Sequence, residues 1–170
     1  MLKTTLLNAV EAGAVQLRHY FNNEDLKISN KDGINNWVTE ADHAAEKAII
    51  EVIKADYPDH FILSEEAGEM ATGSDTKWII DPIDGTINYA CGIPLCCVSI
   101  GVEQHGEMIL GAVYNPFINE LFFAQKGFGA SLNDKKISVS KKTEVLHSCL
   151  VTGFPYTYLD MENGPLEVFE

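Results

Sequence analysis

The sequence predicts an α+β fold, in which two N-terminal helices pack on a largely antiparallel β-meander. Three observations predict it: apolar residues recur at helical spacing early in the chain, short β-like runs follow Pro58, and Gly, Asn and Asp turns separate those runs. Such turns favour hairpins over parallel βαβ units. A chain of 170 residues that is 46% apolar can fill one core, so we expect a single domain of ordinary size.

The two helices are predicted from the periodicity of their apolar residues. The first covers roughly residues 2–22, and its buried stripe comprises Leu2, Leu6, Val10, Ala14, Leu17 and Phe21. The second runs from about Glu40 to Asp56, with Thr39 as its N-cap and Pro58 closing it. The segment between them, NNEDLKISNKDG, is predicted to be a polar loop.

The strands are predicted as short apolar runs. They are FILS (61–64), KWIID (77–81), LCCVSIGVE (95–103), EMILGAVYN (107–115), ELFFAQ (120–125), a short GASL piece and ISVS (137–140). Turns at QHGE, NPFIN and NDKK separate the later ones. At the end of the sequence, PLEVFE resembles the opening of another helix.

Charge and cysteine usage narrow the classes of function. The chain has 25 acidic against 12 basic residues, a net charge of -13. Nucleic acid is therefore not expected as a partner, and the excess of acid suits either solubility or the gathering of divalent cations. The four cysteines lack disulfide-scaffold density and zinc-site spacing, so they are interpreted as buried thiols in a reducing cytoplasm: Cys91, Cys96, Cys97 and Cys149. With no signal peptide or membrane-length apolar run, we expect a cytoplasmic protein.

The stretch WIIDPIDGTINY joins an apolar strand to two acids on a predicted bend. Pro82 presets φ for the second position of a β-turn, so a turn from Asp81 to Asp84 would bring both carboxylates to one point. Gly85 permits close backbone approach. The amides of Gly85 and Thr86 would then open a helical turn, where unpaired N–H groups favour an anion.

The acids of this stretch and of SEEAG together predict a cation site. Glu65 and Glu66 end the neighbouring predicted strand, and neither segment contains a Lys or Arg. Two carboxylates about 4 Å apart repel by roughly 4 kcal/mol at an effective dielectric near 20. Oxygen ligands point to Mg²⁺ or Mn²⁺, which can activate a bound water. Taken singly, the two segments are an ordinary turn and a solvated strand end; only their combination favours a metal.

A longer pattern resembles the inositol monophosphatase family of metal-dependent, lithium-sensitive sugar and inositol phosphatases. It comprises WIIDPIDGTINYACGIPLCCVSIG, with VTEAD upstream, ILSEE between and LVTGFPY near the end, and it spans the chain from Leu6 to Tyr156. The resemblance implies that residues 1–170 form the N-terminal α+β part of a layered αβαβα sugar-phosphatase fold. It also implies a C-terminal α/β part, absent from this chain, whose W-D-x-A-type motif completes the second metal site.

The resemblance further implies roles for individual residues. Four match the family's metal ligands: Glu65, Asp81, Ile83 through its carbonyl, and Asp84. Three match its catalytic groups: Asp42, Glu66 and Thr86. In the family, Thr86 and Asp42 correspond to a pair that orients the attacking water, and Glu66 to the acid supporting Glu65. The amides of Gly85 and Thr86 match those that hold the substrate phosphate. Asp42 also has a simpler interpretation, as a first-turn acid of the second helix.

The predicted function is Mg²⁺-dependent hydrolysis of myo-inositol monophosphate or a similar small polyol phosphate by a metal-activated water. A complete site would hold two or three Mg²⁺ ions. Two alternatives stay open: a fructose-1,6-bisphosphate or nucleotide-bisphosphate phosphatase of the same superfamily, and a non-catalytic metal-binding fragment. The segment TINY resembles the corresponding segment of the inositol branch more than that of the sugar bisphosphatases, so the resemblance favours the inositol branch. The expected partners are the phosphorylated polyol substrate and a second copy of the chain, which would form a homodimer. Binding to nucleic acid or to a membrane is not expected.

Overall fold

The structure, a computed structural model, describes residues 1–31 and 36–153. In these residues the main helices are α1 (Leu2–Tyr20) and α2 (Glu40–Asp56). A short helix α3 (Thr86–Ala90) and a 3₁₀ turn at Val145–His147 follow later in the chain. The strands are β1 (Ile28–Asn30), β2 (Trp37–Thr39), β3 (Phe61–Ser64), β4 (Gly68–Met70), β5 (Thr76–Asp84), β6 (Cys97–Gln104), β7 (Glu107–Asn115), β8 (Glu120–Gln125), β9 (Gly129–Leu132) and β10 (Lys135–Ile137).

Eight strands form one sheet, in the order β10-β9-β8-β7-β6-β5-β3-β4. All of its described pairs are antiparallel except β3 with β5, which run parallel. The strands β1 and β2 form a separate hairpin. The predicted α+β fold with a largely antiparallel sheet is therefore confirmed.

The core lies between one face of the sheet and the helices α1 and α2, which pack on each other. Strand alternation directs every second residue toward the helices, so that Trp78, Ile80, Val98 and Ile100 are buried while their neighbours are less so. The opposite sheet face lacks a helical cover among the described elements. Asp81 of β5 alternates with Trp78 and Ile80, so its side chain lies on this second face.

The second predicted helix is confirmed in both bounds, and Thr39 is its N-cap. The first helix ends two residues earlier than predicted, because Phe21 takes an extended backbone and Asn22 a left-handed one, with φ of 58°. The predicted polar loop contains β1, whose residues are exposed and therefore carry no apolar pattern.

Three strand predictions differ from the structure in their bounds. KWIID lies within the longer β5, which ends at Asp84, and the strand predicted from Leu95 begins at Cys97 as β6. ISVS contributes only Ile137 to β10, which begins at Lys135. Asn133 and Asp134 both adopt positive φ, of 47° and 63°, so they form a tight turn and pairing with β9 resumes directly after it. The short edge strand β4 was not predicted. The predicted helix opening at PLEVFE and the end of LVTGFPY lie outside the described residues.

The prediction of four buried thiols is correct for Cys96 but wrong for two others. Cys91, directly after α3, and Cys149, beyond the last strand, are exposed, and Cys97 is half-buried. All four are free thiols. None of the helices in residues 1–31 and 36–153 has the length and apolar character that crossing a membrane requires.

Candidate active site

Asp81 and Asp84 lie on one face of the sheet because of a β-bulge in β5. Asp81 pairs with Ser99 and Asp84 with Cys97, so two residues of β5 face one residue of β6. The first of those two is Pro82, which lacks the N–H needed for regular pairing. Ser99 and Cys97 are two positions apart and share a side of β6, so their partners share a side of β5. The predicted β-turn is wrong, because the chain stays extended through Asp84.

Glu65 reaches the same region from the end of the parallel neighbour, β3. Its N–H donates to the carbonyl of Ile80 at 3.1 Å. The preceding Ser64 is buried toward the helices, so alternation directs Glu65 to the face that carries Asp81. Burial, together with repulsion from Glu65 and Asp84, raises the pKa of Asp81 to about 7. The structure therefore brings these three acids together.

Lys31 forms ion pairs with both glutamates of SEEAG. Its ammonium donates to Glu65 Oε1 at 2.8 Å and also to Glu66 Oε1. Although neither acidic segment contains a Lys or Arg, Glu65 and Glu66 are therefore partly neutralised by a lysine from elsewhere in the chain. The lysine is more than 30 residues away in the chain and lies beside the β1–β2 hairpin, so neither acidic segment could reveal it.

Burial and ion pairing have opposite effects on the pKa values of Lys31 and Glu66. Burial lowers the pKa of Lys31, but its hydrogen bonds and charge attraction to Glu65 and Glu66 outweigh that effect, so the pKa is raised. The Glu66 side chain is only 5% exposed. Burial raises the pKa of Glu66, and the contact with Lys31 offsets only part of that shift. The pair thus combines a strong attraction with a substantial cost of removing charge from water.

Asp42 connects the start of α2 with Thr86. It is 1% exposed. Its Oδ2 accepts from the N–H and the hydroxyl of Thr39 at 2.8 and 2.6 Å, as part of a capping box. Its Oδ1 lies 3.2 Å from Thr86 Oγ1, which is also 3.0 Å from the Ile83 carbonyl oxygen. Burial raises the pKa of Asp42, although the hydrogen bonds from Thr39 and Thr86 oppose it. Asp42 therefore serves both the helix cap and the site.

Gly85 makes the sharp connection from β5 into α3. It has a left-handed backbone, with φ of 93° and ψ of 38°, and it is the N-cap of α3. A Cβ here would lie 2.9 Å from the carbonyl oxygen of Leu95. Both the conformation and the close approach require glycine. The predicted helical turn at Gly85 and Thr86 is confirmed, although the helix has only five residues.

Glu46 is a site residue that the sequence analysis missed. It is 7% exposed, and its Oε1 accepts from the Ser64 hydroxyl and, at 2.8 Å, from the N–H of Ala67. These two donors lie on either side of Glu65 and Glu66 in the chain, so Glu46 holds the turn that carries both acids. Its position four residues after Asp42, on the same helix face, was the available signal.

The chemistry of the site fits a divalent cation. Asp81 Oδ1 is buried, and no hydrogen-bond donor in the described part of the chain reaches it. Leaving a buried carboxylate oxygen unsatisfied is costly, and a cation would remove that cost. The neighbouring carboxylates of Glu65 and Asp84 carry the oxygen ligands that Mg²⁺ prefers.

The predicted ligands do not surround a single point in this structure. Within residues 1–31 and 36–153, no group of three His, Cys, Asp or Glu side chains is arranged to hold a metal ion. Glu65 instead accepts from Lys31, and Asp84 Oδ2 accepts from the Cys97 thiol at 3.8 Å. Glu65 and Asp84 are the acids nearest to the unsatisfied Asp81 oxygen, so rotation of their side chains toward it would bring three carboxylates around one cation.

Comparison with known proteins connects this geometry with a family. A sequence model described as the inositol monophosphatase family matches residues 1–163. A Haemophilus influenzae protein named Nus factor SuhB is 44% identical over 157 residues, covering 92% of this chain and 58% of that protein. An Aquifex aeolicus protein named fructose-1,6-bisphosphatase/inositol-1-monophosphatase is 38% identical over 147 residues, or 86% and 56% of the two chains.

A solved structure agrees with these sequence matches. The inositol monophosphatase from Anabaena superposes with a TM-score of 0.82 at 37% identity, over 99% of this chain and 62% of that one. The chain thus spans less than two thirds of the length of each of these three proteins. The family match over residues 1–163 and the shared fold show that this chain belongs to the inositol monophosphatase family, within a superfamily of phosphatases.

Proposed function

We propose that these residues form part of a Mg²⁺-dependent phosphomonoesterase that hydrolyses myo-inositol monophosphate or a similar small polyol phosphate. The observation that carries the proposal is the buried Oδ1 of Asp81, which has no hydrogen-bond partner among the described residues and lies near Glu65 and Asp84. Because the chain spans 58% of its Haemophilus relative, the activity is proposed for a protein that also contains the C-terminal α/β part expected above.

The proposed metal ligands are Glu65, Asp81, the Ile83 carbonyl and Asp84. Bound Mg²⁺ supplies charge that neutralises a phosphate ester and lowers the pKa of a coordinated water. The acids hold that charge on the sheet face that the helices leave open. The bulge in β5 places Asp81 and Asp84 on one side of the sheet, and Glu65 follows the neighbouring strand β3. Residues from two strands can therefore act on one substrate group.

Asp42 and Thr86 are proposed to orient the attacking water. When the single proton of the Thr86 hydroxyl points to Asp42 Oδ1, the Thr86 lone pairs can accept a hydrogen bond from water. Asp42 cannot rotate freely, because Thr39 holds its other oxygen. The amides of Gly85 and Thr86 are proposed to bind the phosphate, and Glu66 is proposed to support Glu65.

Two alternatives to this proposal stay open, and the name of one relative supports the first. The name of the Aquifex relative includes fructose-1,6-bisphosphatase, which supports fructose 1,6-bisphosphate as an alternative substrate. A nucleotide bisphosphate is the related alternative. A non-catalytic metal-binding role stays the other alternative, and the relative named Nus factor SuhB leaves the exact activity open. The homodimer, the cytoplasmic location and the absence of nucleic-acid and membrane partners stay predictions.

Phosphate release tests the proposal. The assay compares myo-inositol 1-phosphate, fructose 1,6-bisphosphate and a nucleotide bisphosphate, with Mg²⁺ and after chelation. We expect Asp81→Asn to abolish turnover and Thr86→Ala to lower it by about 10²- to 10⁴-fold, since the latter removes one orienting group. Asp134→Asn, on an exposed turn, is the control for the same charge change. Wild-type turnover in Asp81→Asn would overturn the metal assignment.

A further inference from the structure

Glu65, Glu66, Asp81 and Asp84 form an acid cluster, which the Lys31 ammonium contacts among the described residues. The two partners of Lys31, Glu65 and Glu66, differ in exposure. The Glu66 side chain is 5% exposed and the Glu65 side chain 46% exposed, while Lys31 itself is 22% exposed. An ion pair with a desolvated partner is costly to break, because it leaves a buried charge alone. A pair with a half-exposed partner is easily exchanged, since water can replace the lost contact.

Lys31 is placed by the β1–β2 hairpin rather than by the core. Its N–H donates to the Asn36 carbonyl at 2.8 Å, next to the pairing of Asn30 with Trp37. The exposed strand β1 pairs with β2 and with no other strand among those described. The hairpin therefore delivers a positive charge to Glu65 and Glu66 without occupying a place in the main sheet.

The cluster is only partly neutralised by this one charge. Lys31 binds Glu65 and Glu66, whereas Asp81 keeps its unpartnered buried oxygen and Asp84 contacts a thiol. Glu65 follows β3 and its N–H donates to the carbonyl of Ile80, the residue before Asp81, so a divalent cation that binds Asp81 would draw on Glu65 as well. Lys31 and the divalent cation would therefore compete for Glu65.

We propose that Lys31 is an internal counter-cation that competes with the divalent metal for Glu65 while remaining anchored to Glu66. In the metal-free protein, Lys31 holds the two glutamates together against their mutual repulsion. On metal binding, Glu65 leaves Lys31 and becomes a ligand, and Glu66 retains the lysine. Lys31 therefore sets both the stability of the metal-free site and the affinity for Mg²⁺. This inference rests on the proposed function.

The test measures binding and stability of the complete protein rather than turnover. Isothermal titration with Mg²⁺ and thermal unfolding in chelator are run on the wild type, Lys31→Met, Lys31→Gln and Lys31→Arg. Removing the charge should tighten Mg²⁺ binding by about fivefold, the size expected for a partly exposed ion pair, and should lower the melting temperature of the metal-free protein. Lys31→Arg keeps the charge and should stay near the wild type.

Lys77→Met is the matched control, because Lys77 forms an ion pair of similar exposure with Glu103 at 3.2 Å, away from the cluster. It should leave Mg²⁺ affinity unchanged. Should Lys31→Met fail to fold by circular dichroism, Lys31→Gln, which keeps a hydrogen-bond donor, decides. A crystal structure of the Mg²⁺-loaded wild type gives a result that needs no variant: Lys31 should bind Glu66 and lie beyond hydrogen-bond distance of Glu65.

Several results separate this inference from the function on which it rests. Wild-type protein that binds no Mg²⁺ would overturn both. Mg²⁺ binding that is unchanged or weaker in the charge-removing variants, or a loaded structure in which Glu65 keeps Lys31, would overturn the competition and leave the phosphatase proposal intact. A weaker affinity in particular would show that Lys31 positions Glu65 for the metal.

Discussion

Replacing Glu46 by Ala should loosen the turn that carries Glu65 and Glu66. The Glu46 carboxylate accepts from the Ser64 hydroxyl and from the Ala67 N–H at 2.8 Å. Ser64 is 3% exposed, so its hydroxyl would be left without this partner in a dry environment, whereas the amide of exposed Ala67 can be rehydrated. The loss therefore falls mainly on the Ser64 contact.

The magnitude follows from these two contacts. A hydrogen bond to a charged group contributes about 1.5–3 kcal/mol, and an unsatisfied buried donor costs about 1–3 kcal/mol. Removing a buried carboxylate also relieves its desolvation cost, which offsets part of the loss. We expect the free energy of unfolding to fall by about 2 kcal/mol, which for a domain of this size lowers the melting temperature by about 4–8 °C.

Denaturant unfolding of the complete protein in chelator measures the change, and Mg²⁺ titration measures its effect on the site. Glu46→Gln, which keeps one acceptor oxygen, should lose less stability than Glu46→Ala. A double-mutant cycle with Ser64→Ala should give a coupling energy of about 1 kcal/mol or more. Glu51→Ala, at an exposed position of the same helix, is the control. A Glu46→Ala change no larger than the control's would refute the reasoning.

Three further predictions concern the ion site, a tryptophan–histidine hydrogen bond and a close backbone approach. If the proposed function holds, Li⁺ should inhibit phosphate release at millimolar concentration, as the family resemblance implies; unchanged turnover would point to another branch. Trp78 Nε1 donates to His60 Nδ1 at 3.0 Å, which requires that nitrogen to be unprotonated. Burial lowers the pKa of His60, partly offset by Asp59. This stability is therefore present above the unfolded pKa of about 6.5 and is lost as pH falls below it. His60→Gln should flatten the fall in denaturant midpoint between about pH 7 and 5, and an unaltered profile would refute the pairing. Gly85→Ala should lower the melting temperature more than Gly106→Ala, because both positions have positive φ but only Gly85 has a carbonyl oxygen 2.9 Å from the added Cβ; equal losses would exclude the clash.

Local patterns determined much of the fold. The bounds of α2, β7 and β8 follow from residues close together in the chain: a cap at Thr39, helical periodicity, and turn residues between hairpin strands. The same is true of the helical turn after Gly85, where only glycine suits the conformation. The acids of SEEAG and DPIDGT could be paired in advance because each follows a recognisable strand.

The arrangement of those acids was decided by tertiary structure. The bulge that aligns Asp81 with Asp84 depends on register against β6, which the residues of β5 alone do not specify. The ion pairs of Lys31 and the hydrogen bonds of Glu46 join segments more than 15 residues apart. Sequence indicates the type of charge at each position, but attraction between charges falls with their separation in space. That separation is set only when the hairpin, α2 and the sheet have packed together.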